Sequence, residues 1–270
     1  MTRSLRNARM KLDQGRGQIF WREVSQGTVL VFLHGSWTDS SQWLPVLEHL
    51  GAGYHCLIPD LPGFGESRFS KVHYSIDAEV EWLAEYFEAL RLKQVYLVGH
   101  SVGGWIAASY ALKYPHQVQG LVLLSPEGVQ PSEMAGRWTL ARWLMGQPPV
   151  LYGLLKLLRP VSKALKIQVT VEAWLQLRQQ MRRSPTACKL LFQRRTAEIK
   201  SELLQERLDW LKTPTLILQG QEDAPIALAM SQTYALAPDA ELHLIPDISH
   251  DLPHAAPELL AQHLQKFVTP

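Results

Sequence analysis

Six short apolar runs stand out along the chain: Thr28–Leu33, His55–Ile58, Gln94–Val98, Gly120–Leu124, Thr215–Leu218 and Glu241–Ile245. Few of their positions are charged, which is how strands covered on both faces of a parallel sheet read. Helical spacing fills most of the gaps. In Ile76–Leu90 the apolar residues Ile76, Val80, Leu83, Phe87 and Leu90 recur every three or four positions, and Glu79, Glu81, Glu85 and Glu88 include solvated ones. Gly104–Tyr114, Leu228–Leu236 and Pro257–Val268 read as further helices. Strand alternating with helix predicts an α/β fold, a mostly parallel central sheet flanked by helices.

The alternation breaks between about Pro131 and Trp210, where Leu and Trp are frequent and no strand signal occurs. Residues 131–209 carry 14 Lys and Arg against 6 Asp and Glu, a net +8. The whole chain is only +2, so the remainder is −6. This asymmetry marks a separate unit. The expected organisation is a core of residues 1–130 and 210–270, with 131–209 inserted as a helical cap.

Composition narrows the function classes. The 270 residues are 46% hydrophobic and 19% charged, an ordinary globular balance. A net charge of +2 gives no argument for a nucleic-acid partner. Cys56 and Cys188 are too far apart to suggest a disulfide framework or a metal-ligand spacing, so a reducing, cytoplasmic setting is the default. Arg3, Arg6, Arg9 and Lys11 make the N-terminal segment basic, without the apolar stretch of a secretory signal, and it reads as a disordered tail. No apolar run is long enough for a spanning helix.

The sharpest local signal is Gly99-His100-Ser101-Val102-Gly103-Gly104, between the strand Val95–Val98 and a helix. In G-x-S-x-G the chain reverses so sharply that side chains at 99 and 103 would collide with the neighbouring strand and helix. Ser101 is then held out at the carboxyl end of the sheet, with the Val102 amide, at the helix start, facing the same space. A plain strand-to-helix turn is the alternative, but it rarely needs glycine on both sides of a serine.

With these residues the chain resembles the α/β-hydrolase superfamily. His34-Gly35-Ser36-Trp37 looks like its oxyanion loop, and Asp60-Leu61-Pro62-Gly63-Phe64-Gly65-Glu66-Ser67 is similar to its D-x-P-G-x-G-x-S turn. The family's order of Ser, Asp or Glu, then His implies Ser101 as nucleophile, Asp223 (in Gly220-Gln221-Glu222-Asp223) as the acid and His250 as the general base. Ser249 stands where the family usually has Gly. His254 is the rival base; Glu127 and Asp247 are the rival acids. The resemblance also implies an oxyanion hole from the backbone N–H groups of Ser36 and Val102, with Trp37 as alternative second donor. Asp60 is expected to tie its glycine-rich turn and His34 to brace the oxyanion loop.

No organic cofactor and no metal are expected: Gly63-Phe64-Gly65 lacks the rest of a dinucleotide fingerprint, and neither a P-loop nor H-E-x-x-H occurs. A serine nucleophile argues against relatives that use aspartate there, the haloalkane dehalogenases and epoxide hydrolases. Trp37, His100, Trp138 and Trp143 are candidate pocket residues. The cap's apolar residues point to a hydrophobic, lipid-like ester as substrate, although most of them also fit simple packing of the cap. Leucines among Lys156, Arg159, Lys163 and Lys166 allow a peripheral membrane-surface contact. The leading expectation is a carboxylic-ester hydrolase. Thioester or C–C bond hydrolysis, a lyase or haloperoxidase-like reaction, and a non-catalytic binding role are the alternatives on the same scaffold. The oligomeric state has no sequence signature.

Overall fold

A computed structural model describes residues 4–11, 17–24, 26–69, 73–130, 137–146, 148–163 and 165–268. All six apolar runs lie in strands. The strands are β1 (Arg6–Lys11), β2 (Gly17–Val24), β3 (Thr28–Leu33), β4 (Tyr54–Pro59), β5 (Arg68–Phe69), β6 (Val95–His100), β7 (Val118–Leu124), β8 (Thr215–Gly220) and β9 (Ala240–Ile245). They form one sheet in the order β1-β2-β4-β3-β6-β7-β8-β9, with β5 beside β2. From β4 to β9 neighbouring strands are parallel; β2 is antiparallel to β1, β4 and β5. The carboxyl ends of β3, β4, β6, β7, β8 and β9 therefore share one rim, where open α/β sheets carry their sites.

Helices cover the sheet: α1 (Leu44–His49), α2 (Ile76–Ala89) and α3 (Val102–Lys113), then α9 (Pro225–Tyr234), α10 (Leu252–Ala255) and α11 (Pro257–Phe267). Ser75 caps α2 by accepting from the Ala78 amide, and the predicted stripe Ile76, Val80, Leu83 and Phe87 is buried. On one side of the sheet Leu30, Phe32, Val98, Val122 and Leu218 pack in one apolar cluster with Val46 of α1 and Leu260 and Leu264 of α11.

Three features depart from the sequence reading. The described part of the basic N-terminal segment is a strand, not a disordered tail. β1 pairs along β2, Arg9 lies over the Phe20 ring at 5.4 Å and pairs with Glu66. Charged side chains on an edge strand hinder further pairing, and the same charges make the segment look like a tail. Next, Glu79 is buried in α2 instead of solvated. Burial raises its pKa well above the usual carboxylate range, and its Oε2 has no hydrogen-bond partner among the described residues.

The third concerns the insertion. The chain divides into two compact units, residues 1–131 with 202–270, and residues 132–201. Residues 202–209, expected in the insertion, belong to the sheet unit. The Trp105 indole donates to the Glu202 carbonyl (3.1 Å), the Glu202 carboxylate accepts from the Ile76 amide (3.1 Å), and Leu204 N donates to Gly128 O (2.8 Å). Such anchoring lies far from 202–209 in sequence and leaves no periodic trace there. The second unit contains α4 (Thr139–Met145), α5 (Val150–Leu158), α6 (Gln168–Arg183), α7 (Pro185–Cys188) and α8 (Thr196–Ser201). Within it Trp138 stacks on Phe192 (5.3 Å between ring centres), and Arg178 Nε donates to Leu144 O (2.8 Å). No described helix is long and apolar enough to cross a membrane.

Candidate active site

The turn from β6 into α3 is as tight as its glycines require. A Cβ on Gly99 would lie 2.4 Å from Gly103 O, and one on Gly103 would lie 2.3 Å from Leu33 O. Ser101 at the bend has φ 53° and ψ −115°, a strained backbone for a residue with a side chain. The bend is held from outside: Ser101 N donates to Leu124 O (2.9 Å), and Ser101 O accepts from Glu127 N (3.1 Å).

The loop after β3 is fixed by buried polar contacts. Leu61 N donates to His34 Nε2 (3.0 Å), so that nitrogen carries no proton, and Nδ1–H points to Gly35 O (2.9 Å). Burial lowers the His34 pKa, in keeping with this neutral tautomer. Asp60, at the end of β4, ties its glycine-rich turn: Oδ1 accepts from Ser40 N (2.7 Å) and Oδ2 from Glu66 N (2.6 Å). Among the described residues, the amides of Ser36 and Val102 donate to no protein acceptor. Ser36 is buried, and Trp37 beside it is half-buried.

Asp223 follows β8 and His250 follows β9. Two backbone bonds lace their loops together, Gln221 N to Ile245 O and Glu222 N to Ile248 O, both 2.9 Å. His250 Nδ1 meets Asp223 Oδ2 at 2.8 Å. The carboxylate also accepts from Gln219 Nε2 (3.0 Å) and Ala224 N (2.7 Å). Burial alone would raise the Asp223 pKa; the hydrogen bonds and the His250 charge outweigh it and hold the pKa below the ordinary carboxylate value. An ionised Asp223 only accepts, so the proton on His250 belongs on Nδ1 and Nε2 is left as the basic nitrogen. Of the rivals, His254 in α10 pairs with Asp251 just before that helix at 3.0 Å and is exposed, and Asp247 is exposed. Glu127 is buried after β7, its carbonyl accepting from the Tyr234 hydroxyl (2.6 Å).

His100 has a different place from the pocket position expected of it. Gly35 N–H can only donate, and it meets Gln42 Oε1 (3.0 Å). That orients the Gln42 amide, whose Nε2 donates to His100 Nδ1 (2.8 Å). His100 Nε2 must then carry the proton, and it donates to the His250 carbonyl (3.0 Å). With both nitrogens occupied and 5% exposure, His100 ties the serine turn to the His250 loop. Burial, with the neighbouring His250, pushes its pKa down to about 3. Gly35 is needed beneath it, because a Cβ there would lie 2.6 Å from Nδ1. Gln42 and Gln219 carried no sequence signal; they become recognisable only when the loops meet.

Trp138 and Trp143, the other expected pocket residues, belong to the helical unit. Trp143 is 65% exposed and lines an open groove of about 620 Å³ with Leu140, Leu151, Trp174 and Arg137. Among the described residues no cluster of three or more His, Cys, Asp or Glu could hold a metal ion.

A family model described as the alpha/beta hydrolase fold matches residues 28–257. The human monoacylglycerol lipase ABHD6 is 26% identical over 251 residues, 88% of this chain and 74% of its own. The 2-hydroxy-6-oxo-6-phenylhexa-2,4-dienoate hydrolase of Burkholderia cepacia is 26% identical over 249 residues, 86% of this chain and 85% of its own. In the crystal structure of a membrane phospholipase A, a bacterial virulence factor, the fold is alike with a TM-score of 0.74, covering 97% of this chain and 85% of that one at 23% identity. With its sheet order and its strained serine turn, the chain belongs to the α/β-hydrolase fold family.

Proposed function

We propose that this protein is a serine hydrolase of carboxylic esters, acting through Ser101, His250 and Asp223. The observation that carries the reading is the 3.0 Å bond from His100 to the His250 carbonyl. It ties the loop of the imidazole to the residue next to Ser101, while Asp223 sets the tautomer from the other side. Ser101 Oγ attacks the ester carbonyl as His250 Nε2 takes its proton. The amides of Ser36 and Val102 receive the oxyanion; losing one such donor costs about 3 kcal/mol of transition-state stabilisation. His250 returns the proton to the departing alcohol, leaving an acyl group on Ser101. Water, giving a proton to His250, attacks the acyl carbon, and release of the acid restores the serine hydroxyl. A hydrophobic, lipid-like acyl group is the proposed substrate class.

A fluorophosphonate should label one serine, and Ser101→Ala should abolish both the label and ester turnover. Turnover of p-nitrophenyl esters should rise from acetate to longer chains. Activity confined to acetate and butyrate would count against a lipid-like substrate. A labelled but ester-inactive protein that cleaves a 2-hydroxy-6-oxo-dienoate would move the reading to C–C bond hydrolysis, the reaction type of the Burkholderia relative.

A further inference from the structure

The helical unit carries an apolar surface that its own packing leaves uncovered. The apolar residues of α5 gather on one broad face, with Tyr152, Gly153 and Lys156 on the opposite side. Leu151, Leu155 and Leu158 form its inward side, with Leu155 buried. Val150, Leu154 and Leu157 lie beside them on the same face, more exposed, and Val161 and Leu165 continue their spacing in the turn that follows. These five are 48–76% exposed. An apolar face wider than its own packing covers belongs against something apolar. The clustering is strong: of 12 large apolar side chains exposed in the described residues, eight fall between Trp143 and Val169.

Charge identifies the occupant. From residue 134 to 197 the sequence has 12 Lys and Arg and a single carboxylate, Glu172, which Arg159 holds at 2.7 Å. Lys156, Arg159, Lys163 and Lys166 are exposed on the same stretch of chain. Beside it, α5 and α6 enclose a cleft of about 550 Å³ whose lining has five cations, Lys156, Arg159, Arg178, Arg182 and Arg183, around Tyr152, and one carboxylate, the Arg159-paired Glu172. Arg178 lies 3.8 Å over the Tyr152 ring and Lys156 lies 4.9 Å from it. An aromatic floor with converging cations suits a phosphate-bearing headgroup. A second copy of so basic a face would be repelled. We propose that the α5 face rests on an anionic lipid bilayer, with Leu154, Leu157 and Val161 entering the headgroup boundary and the cleft cations meeting lipid phosphates. No described helix can span a bilayer, so the contact lies in the interface plane. This inference is independent of the catalytic reading, because binding needs no turnover.

Flotation of the full chain tests it, with vesicles of phosphatidylcholine alone or mixed with phosphatidylglycerol. The protein should float with the mixed vesicles and much less with the neutral ones. Raising salt from 0.1 M to 1 M, which shortens the screening length from about 10 Å to about 3 Å, should weaken binding. Lys163→Gln with Lys166→Gln should lower low-salt partitioning roughly fivefold per charge removed. Leu154→Ser with Leu157→Ser should lower it on the order of tenfold or more at either salt. Turnover of a water-soluble short ester and the circular dichroism spectrum should stay unchanged in both variants. Equal partitioning to both vesicle types, or Leu154/Leu157 variants that bind as the parent does, would overturn the proposal. So would a dimer that those variants dissolve without any vesicle binding. Loss of long-chain ester turnover with intact vesicle binding would assign the stripe to substrate instead.

Discussion

Ser101, His250 and Asp223 are placed by hydrogen bonds that each leave one chemical option. Asp223→Asn removes the acceptor that fixes the His250 tautomer and should lower kcat about 10⁴-fold, with the fold intact by circular dichroism. Ser101→Ala should lose at least as much. A smaller loss of ester turnover in both variants would remove the triad reading. His100 is a positioning residue in this scheme: it holds the His250 main chain and packs its ring against the His250 ring, 4.9 Å between centres. His100→Ala or Gln42→Leu cuts the chain of contacts from Gly35 to His250. Each should lower kcat by roughly 10- to 100-fold with little change in KM, since small misplacement of a base is costly. Slower fluorophosphonate labelling should accompany the fall. Unchanged kcat in both variants would show that the His250 loop needs no brace.

At the scale of elements, α2 illustrates how a correct periodicity coexists with a wrong burial assignment. Its apolar stripe is visible in the sequence, but Glu79 faces inward. Its raised pKa means that the folded state keeps a proton that the unfolded chain gives up above about pH 4.3. The protonated form therefore contributes stability at low pH that is lost as pH rises. Glu79→Gln keeps the shape without the proton requirement. It should stabilise the protein at pH 7 by about 1 kcal/mol or more, and the advantage should shrink toward pH 4.5. Thermal melts at several pH values check this; an advantage that does not vary with pH would mean the carboxyl is not held neutral.

For the whole molecule, buried neutral histidines set the acid limit. His34 and His100 lie on either side of Gly35, and burial lowers the pKa of both. The unfolded chain binds a proton at each near pH 6.5, whereas His100 when folded resists until about 3. Their stabilising contribution is fully present above about pH 6.5 and falls away as pH drops through that window. For His100 this is roughly 2 kcal/mol between pH 7 and pH 5. Denaturant titrations should show that loss in the parent protein and a smaller one in His100→Gln. Equal acid sensitivity in the two would place the effect elsewhere.

The sequence by itself determined the strand-and-helix alternation, the serine turn and the basic character of the insertion. All of these are local: apolar runs, spacings and glycines read without knowing their neighbours. Tertiary structure decided the remainder. That Arg6–Lys11 is an edge strand depends on β2 lying alongside it, and the grouping of residues 202–209 with the sheet depends on Trp105, Ile76 and Gly128. His100 became a brace because Gln42 and the His250 carbonyl, 58 and 150 residues away, close on its two nitrogens. Hydrogen-bond partners and burial are pairwise properties of distant residues, and one chain's periodicity carries no record of them.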